Sequence, residues 1–186
     1  QSVTRRWKAE FTVPEAISSF VAQEARTRGF SDEDVINHMQ LVVEELVTNI
    51  AKYAYQQEGD PYPAEHKGDV EITIRGNRQA GKLEIEVTDW GEAFDPTQRP
   101  APDLTRPLEK VQPGGLGILL IRGFTDSFTY KRQDVRNVVT VAFKPQSALR
   151  SSGSGRGPGL AIHLVVAALS AVLLSLVPGV AAARTA

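Results

Sequence analysis

Amphipathic helices interleaved with alternating strands predict a two-layer α/β sandwich, with helices packed on a mixed, mainly antiparallel sheet and an apolar segment after it. Three observations carry that expectation. "VVEELVTNIAKYAY", residues 42–55, spaces its apolar residues as a helix does. "DVEITIRG" and "KLEIEVTDWG" alternate apolar and polar residues with the period of a strand. A proline-rich stretch then leads to "GGLGILLIRGF", a helix opened by glycines, and to the strand patterns "DSFTYKR" and "VRNVVTVAFK".

In chain order, "RRWKAEFTV" puts Trp7, Ala9, Phe11 and Val13 on one side and reads as a first strand ended by Pro14. Residues 14–28 follow as a helix closed by Gly29. "SDED", residues 31–34, has the form of an N-terminal cap with an acidic first turn, and it starts the long helix. At about 100° per residue, Val35, Met39, Val42, Leu46, Ile50 and Tyr53 share one stripe of that helix. Glu45, Asn49 and Lys52 line its edge, while Glu44 and Thr48 point away. The helix is expected to fail before Gly59, Pro61 and Pro63. "NRQAG" has the composition of a hairpin turn between the next two strands. Residues 92–113, with five prolines, are expected to form a long loop.

The 186 residues, 41% hydrophobic and 23% charged, suffice for one core plus an appendage. A formal net charge of −1 gives no reason to expect nucleic acid as a direct partner. With no cysteine, disulfides, thiolate metal sites and a cysteine nucleophile are excluded, and the composition suits a reducing cytoplasm. His38, His66 and His163 lack metal-ligand spacing. The start has neither methionine nor a signal-peptide core, which reads as a processed chain or a fragment. Residues 1–146 are therefore expected to be the folded domain, 147–159 a flexible Ser/Gly linker and 160–186 an apolar tail. Residues 160–177 carry no charge and have the length of a bilayer span, and Arg150 and Arg156 ahead of them favour the cytoplasmic side. A membrane anchor is the expectation, with a disordered tail or an amphiphilic partner helix as alternatives.

Long loops in compact domains are usually either functional or disordered, and this one is bracketed by "DWG", residues 89–91, and "GGLG", residues 114–117. Glycines at a helix start let backbone N–H groups and the helix dipole face a phosphate. A strand-end Asp can accept a hydrogen bond from an exocyclic amine, and the Gly beside it leaves room for a flat base. Singly, each motif is commonplace in turns. Their order, after a helix bearing Glu and Asn, is the informative feature.

In that order the chain resembles the superfamily of gyrase, heat-shock chaperone, histidine kinase and mismatch-repair ATPases, and within it the anti-sigma-factor serine kinases. "EELVTNIAKYAY" is similar to the family's N box, "VTDWGEAFDP" to its first glycine box and "GGLGILLIRGFTD" to its second. The resemblance spans about residues 6–144 and implies a Bergerat-type ATP-binding fold. It implies ATP and Mg²⁺ as cofactors, with Asn49 as the metal ligand, Glu45 as the catalytic carboxylate and Asp89 as the adenine-binding aspartate. Gly91, Gly115, Leu116 and Gly117 would line the nucleotide pocket. Lys52 would approach a phosphate or be a solvated helix lysine, and Thr140 would contact adenine or be a plain strand threonine. Arg122, Trp90 and His38 each have a structural alternative of the same kind, and Glu44 competes with Glu45 but faces the wrong way.

The function so implied is an anti-sigma factor and serine/threonine kinase that phosphorylates an antagonist protein in a partner switch. Its partners would be a sigma factor, that antagonist and a second copy of the chain in a homodimer. The catalytic domain would be cytoplasmic, held at the inner face of the membrane where the tail anchors it. Two alternatives stay open: a non-catalytic ATP-binding regulator that sequesters a partner, and the ATPase piece of a longer membrane signalling protein.

Overall fold

The structure, a computed structural model, describes residues 1–10, 13–55, 66, 68–100 and 115–145. The linker and apolar tail expected after residue 146, and with them the anchor, lie outside the described residues. Among the described residues, no helix is long and apolar enough to cross a membrane.

Among the described residues five strands form one sheet: β1 (Val3–Lys8), β2 (Asp69–Asn77), β3 (Lys82–Asp89), β4 (Ser127–Gln133) and β5 (Arg136–Phe143). Three α-helices among the described residues accompany them, α1 (Val13–Thr27), α2 (Glu33–Asn49) and α3 (Gly115–Phe124). The spatial order is β1-β2-β3-β5-β4. Every pairing is antiparallel, which corrects the expectation of a mixed sheet. The physical reason is the position of β5. The crossover through α3 carries the chain from β3 to β4 in the same direction, but β5 then folds back between them and keeps the two from pairing.

The first strand also differs from its expected span. It ends at Lys8, and Val13 already opens α1. Pro14 has no N–H to donate and a φ suited to a first helical turn, so it helps start a helix where the sequence suggested it ends a strand. Trp7 and Ala9 still pack against the core, as does Val13 from its helical position, whereas Phe11 lies outside the described residues.

Asp32 caps α2. Its Oδ1 accepts from the backbone N–H groups of Asp34 and Val35 at 3.0 and 3.3 Å, with Glu33 and Asp34 in the first turn. The helix then buries more than the single stripe expected: Ile36, Val43 and Val47 are buried beside Val35, Met39, Val42 and Leu46. Such width follows from its place against α1, α3 and the sheet. Opposite it, Ile72, Ile74, Ile85, Val87, Val139 and Val141 supply the inward face of the central strands.

At its C-terminal end α2 passes directly into one π-helical turn, Ile50–Ala54. The wider spacing of that turn breaks the 100° phase assumed from sequence. Tyr53, expected in the buried stripe, is therefore 57% exposed. α3 packs on α2 with Phe124 stacked on His38, the ring centroids 3.9 Å apart and the planes 12° from parallel.

Asp32→Ala should lower the unfolding free energy by about 1 kcal/mol through loss of the cap, with Asp32→Asn close to wild type. Urea denaturation of the three chains checks this.

Candidate functional site

Glu45 and Asn49 are one helical turn apart near the end of α2, and the Asn49 amide Nδ2 donates to Glu45 Oε1 at 3.0 Å. That bond orients the amide, so the Asn49 carbonyl oxygen remains as an acceptor. Gly117, in the first turn of α3, closes on the same carboxylate. A Cβ built there would overlap Glu45 Oε1, Cδ and Cγ, which only glycine avoids. The N-terminal backbone of α3, from Gly115, is thus brought up to the Glu45–Asn49 pair.

Asp89 ends β3 and is only 5% exposed. Antiparallel register sets it directly across from Asn137 of β5, which is 3% exposed. Asp89 Oδ1 accepts from Asn137 Nδ2 and from the Gly91 backbone N–H, each at 2.8 Å. Burial pushes the Asp89 carboxyl above its ordinary pKa, while the Asn137 and Gly91 donors and the charge of Arg132 pull the other way. Gly91 is pressed against the end of the π turn, and a Cβ there would overlap the Ala54 carbonyl. Next to it, the Glu92 N–H donates to that carbonyl at 3.1 Å. Tyr55 continues the same seam: the Trp90 N–H donates to its hydroxyl at 3.0 Å, and the hydroxyl donates to the Asp69 carbonyl.

Between α2, the π turn, β3 and β5 lies a cavity of about 490 Å³, a size suited to a small molecule. Asn49, Asp89 and Asn137 give it polar points on walls otherwise made by residues such as Ile50, Val87 and Val139. Phe94, 46% exposed, stands at its rim with the Arg99 guanidinium 5.2 Å from the ring centroid. The cavity therefore has an apolar slot with a buried carboxylate at one point and an amide at another.

Of the residues singled out in the sequence, Asn49 and Asp89 are on the cavity wall, Glu45 is bonded to Asn49, and Gly91 and Gly117 make the close approaches just described. Gly115 and Leu116 form the start of α3. Thr140 is elsewhere. Strand alternation places it on the sheet face opposite Val139 and Val141, between Glu86 and Thr129 in register, off the cavity wall. Lys52 is exposed in the π turn and is also off that wall, because the turn rotates it from the Glu45–Asn49 edge. Arg122 neither lines the cavity nor stands alone: it donates to the carbonyls of Thr97 and Arg99 at 2.6 and 2.9 Å. Trp90 is buried away from the cavity, with the His66 ring stacked on it at 4.5 Å and the Arg6 guanidinium 5.0 Å above the ring.

Asn137 was missed. The available signal was an asparagine inside the apolar run "VRNVVTVAF", a residue disfavoured in strands unless its amide has partners. Arg132 and Tyr130 of β4, which hold that amide, carried no separate signal.

The family profile of the histidine kinase-like ATPase domain matches residues 8–143. The serine/threonine-protein kinase BtrW of Bordetella bronchiseptica is 33% identical over 103 residues, 55% of this chain and 66% of that protein. The serine-protein kinase RsbW of Bacillus cereus is 27% identical over 151 residues, 79% of this chain and 86% of that protein. The fold also matches the crystal structure of the RsbU and RsbW domains of Rv1364c from Mycobacterium tuberculosis. The TM-score is 0.52 at 10% identity, over 77% of this chain and 32% of that one.

Because the folded-state pKa of Asp89 is raised, the folded chain binds more protons than the unfolded chain between the unfolded and folded pKa values, and stability falls as pH rises through that window. Asp89→Asn keeps an Oδ1 acceptor for Asn137 and Gly91 and removes the buried charge. Its thermal midpoint should exceed that of wild type at pH 7, and the gap should shrink toward acid pH. Melting curves across pH check this.

Proposed function

The chain belongs to the histidine kinase-like ATPase domain family, and on that premise we propose that it is an ATP-dependent protein serine/threonine kinase and anti-sigma factor. It phosphorylates a small antagonist protein and thereby switches between that antagonist and a sigma factor. The observation that carries this reading is the hydrogen-bonded Glu45–Asn49 pair at one side of a cavity that also presents the buried Asp89. The named kinases among its relatives support the same chemistry.

In this reading the 6-amino group of adenine donates to Asp89, the apolar walls hold the base, and the phosphates extend toward Asn49 and the start of α3. Backbone N–H groups and the helix dipole favour negative charge there. Glu45 accepts the proton of the substrate hydroxyl as its oxygen bonds to the γ-phosphorus. The bond from that phosphorus to the β–γ bridging oxygen breaks, and ADP leaves.

Mg²⁺ fits the residues present. The Asn49 carbonyl oxygen is a hard donor left available by the amide's bond to Glu45. Among the described residues no group of three or more His, Cys, Asp or Glu side chains is placed to hold a metal, so phosphates and water would complete the shell. When bound, the cation supplies charge neutralisation for the β- and γ-phosphates. Where residues 160–177 span a membrane, the kinase would act at its inner face, and fractionation of cells expressing the full chain tests that.

The deciding experiment follows labelled γ-phosphate from Mg-ATP to serine or threonine of antagonist-like proteins. Glu45→Ala should slow transfer by about 10²–10⁴-fold with ATP binding retained, and Asn49→Ala should lose the dependence on Mg²⁺ together with activity. Gly117→Ala, which puts a methyl group where the Glu45 carboxylate stands, should cost about 100-fold in transfer. ATP binding without transfer to any candidate would point to a sequestering regulator. Failure to bind nucleotide would remove the reading.

A further inference from the structure

Asn137 is buried, yet its amide is fully engaged. Nδ2 donates to Asp89 Oδ1 and to the Glu92 carbonyl, both at 2.8 Å, with the Gly91 carbonyl at 3.4 Å. Oδ1 accepts from Arg132 Nη1 at 2.8 Å, from the Tyr130 hydroxyl at 2.9 Å and from the Phe94 N–H at 3.4 Å. Three donors on one end and three acceptors on the other leave the amide a single orientation. Arg132 Nη1 is itself fixed on the Gly91 carbonyl at 3.0 Å.

The effect reaches Asp89. With Oδ1 accepting from Asn137 and Gly91, Oδ2 is the carboxylate oxygen with no hydrogen-bond partner among the described residues, and Asp89 lines the cavity. An acceptor-only oxygen matches a purine with an amine at C6. It repels one with a carbonyl there, because neither oxygen brings a proton.

Resting on the nucleotide-site reading above, we propose that Asn137, braced by Arg132 and Tyr130, is a positioning residue that sets base selectivity by presenting one acceptor oxygen of Asp89 to the cavity. The groups around it are consistent with that role. Arg132 and Tyr130 come from β4, Glu92 and Arg99 from the segment after β3, and α2 contributes the uncharged Asn49. Burial raises the Tyr130 hydroxyl, which keeps it protonated and a donor.

The test uses the full chain, ATP and inosine triphosphate, whose C6 bears a carbonyl, with affinities measured by calorimetry from acid to neutral pH. Asn137→Ala should weaken ATP binding by about tenfold, the loss expected for one buried charge-assisted hydrogen bond. It should also erase most of the preference for ATP over the inosine nucleotide. Loss of the Nδ2 donor also raises the Asp89 pKa further, so ATP affinity should begin to fall at a higher pH than in wild type. Tyr130→Phe removes one brace and keeps the ring, and should move selectivity the same way by a smaller factor. It carries the test where Asn137→Ala does not fold. An unchanged ATP-to-inosine ratio and acid limb in folded variants would overturn this inference alone. A wild-type chain that binds neither nucleotide would overturn the nucleotide site and this inference with it.

Discussion

A buried carboxyl group needs hydrogen-bond donors to offset its desolvation, and meeting that need at one oxygen of Asp89 organises the centre of this molecule. The antiparallel register of β3 and β5 is what brings Asn137 opposite it. Asn137 in turn needs acceptors and donors of its own, and it finds them in the Glu92 carbonyl, the Phe94 N–H and two side chains of β4. The edge strand and the segment after β3 are therefore tied to one buried side chain. A slip of β5 by one residue would send Asn137 to the opposite face and leave the carboxylate buried without its amide.

The second organising feature is the change of helical pitch after Asn49. An uninterrupted α-helix would have carried Tyr53 into the core and Lys52 along the Glu45 edge. The π turn releases both and delivers the Ala54 carbonyl to the Glu92 N–H beside Gly91. Insertions of this kind are frequent at functional sites. Here it lets one helix serve the core through most of its length and the cavity through its last residues.

Much of this was legible from local pattern. The period-two runs of β2 and β3, the turn between them, the cap at Asp32 and the glycines flanking the long loop are set by neighbours a few residues away. Glu45 and Asn49 could be paired by helical spacing alone. What was not legible depends on distant partners. Whether Pro14 ends a strand or starts a helix is undecided by its ring. The lack of parallel pairing depends on where β5 inserts, and the pitch change at Ile50 has no residue type of its own. Thr140 and Asn137 sit on opposite faces of one strand, and only the strand's register tells which of them meets Asp89.

The packing of α3 on α2 carries a consequence for sliding. Gly117 meets Glu45 and Phe124 meets His38, so the two helices run in opposite directions with the same seven-residue spacing between fastenings. Seven residues rise about 10.5 Å on either helix, so the ring stack at one end sets the axial register at the other. A slide of α3 along α2 would take Gly117 off Glu45 and Phe124 off His38 together. The two helices are pinned to one another at two points, and the glycine at one of them is what leaves the Glu45 carboxylate room.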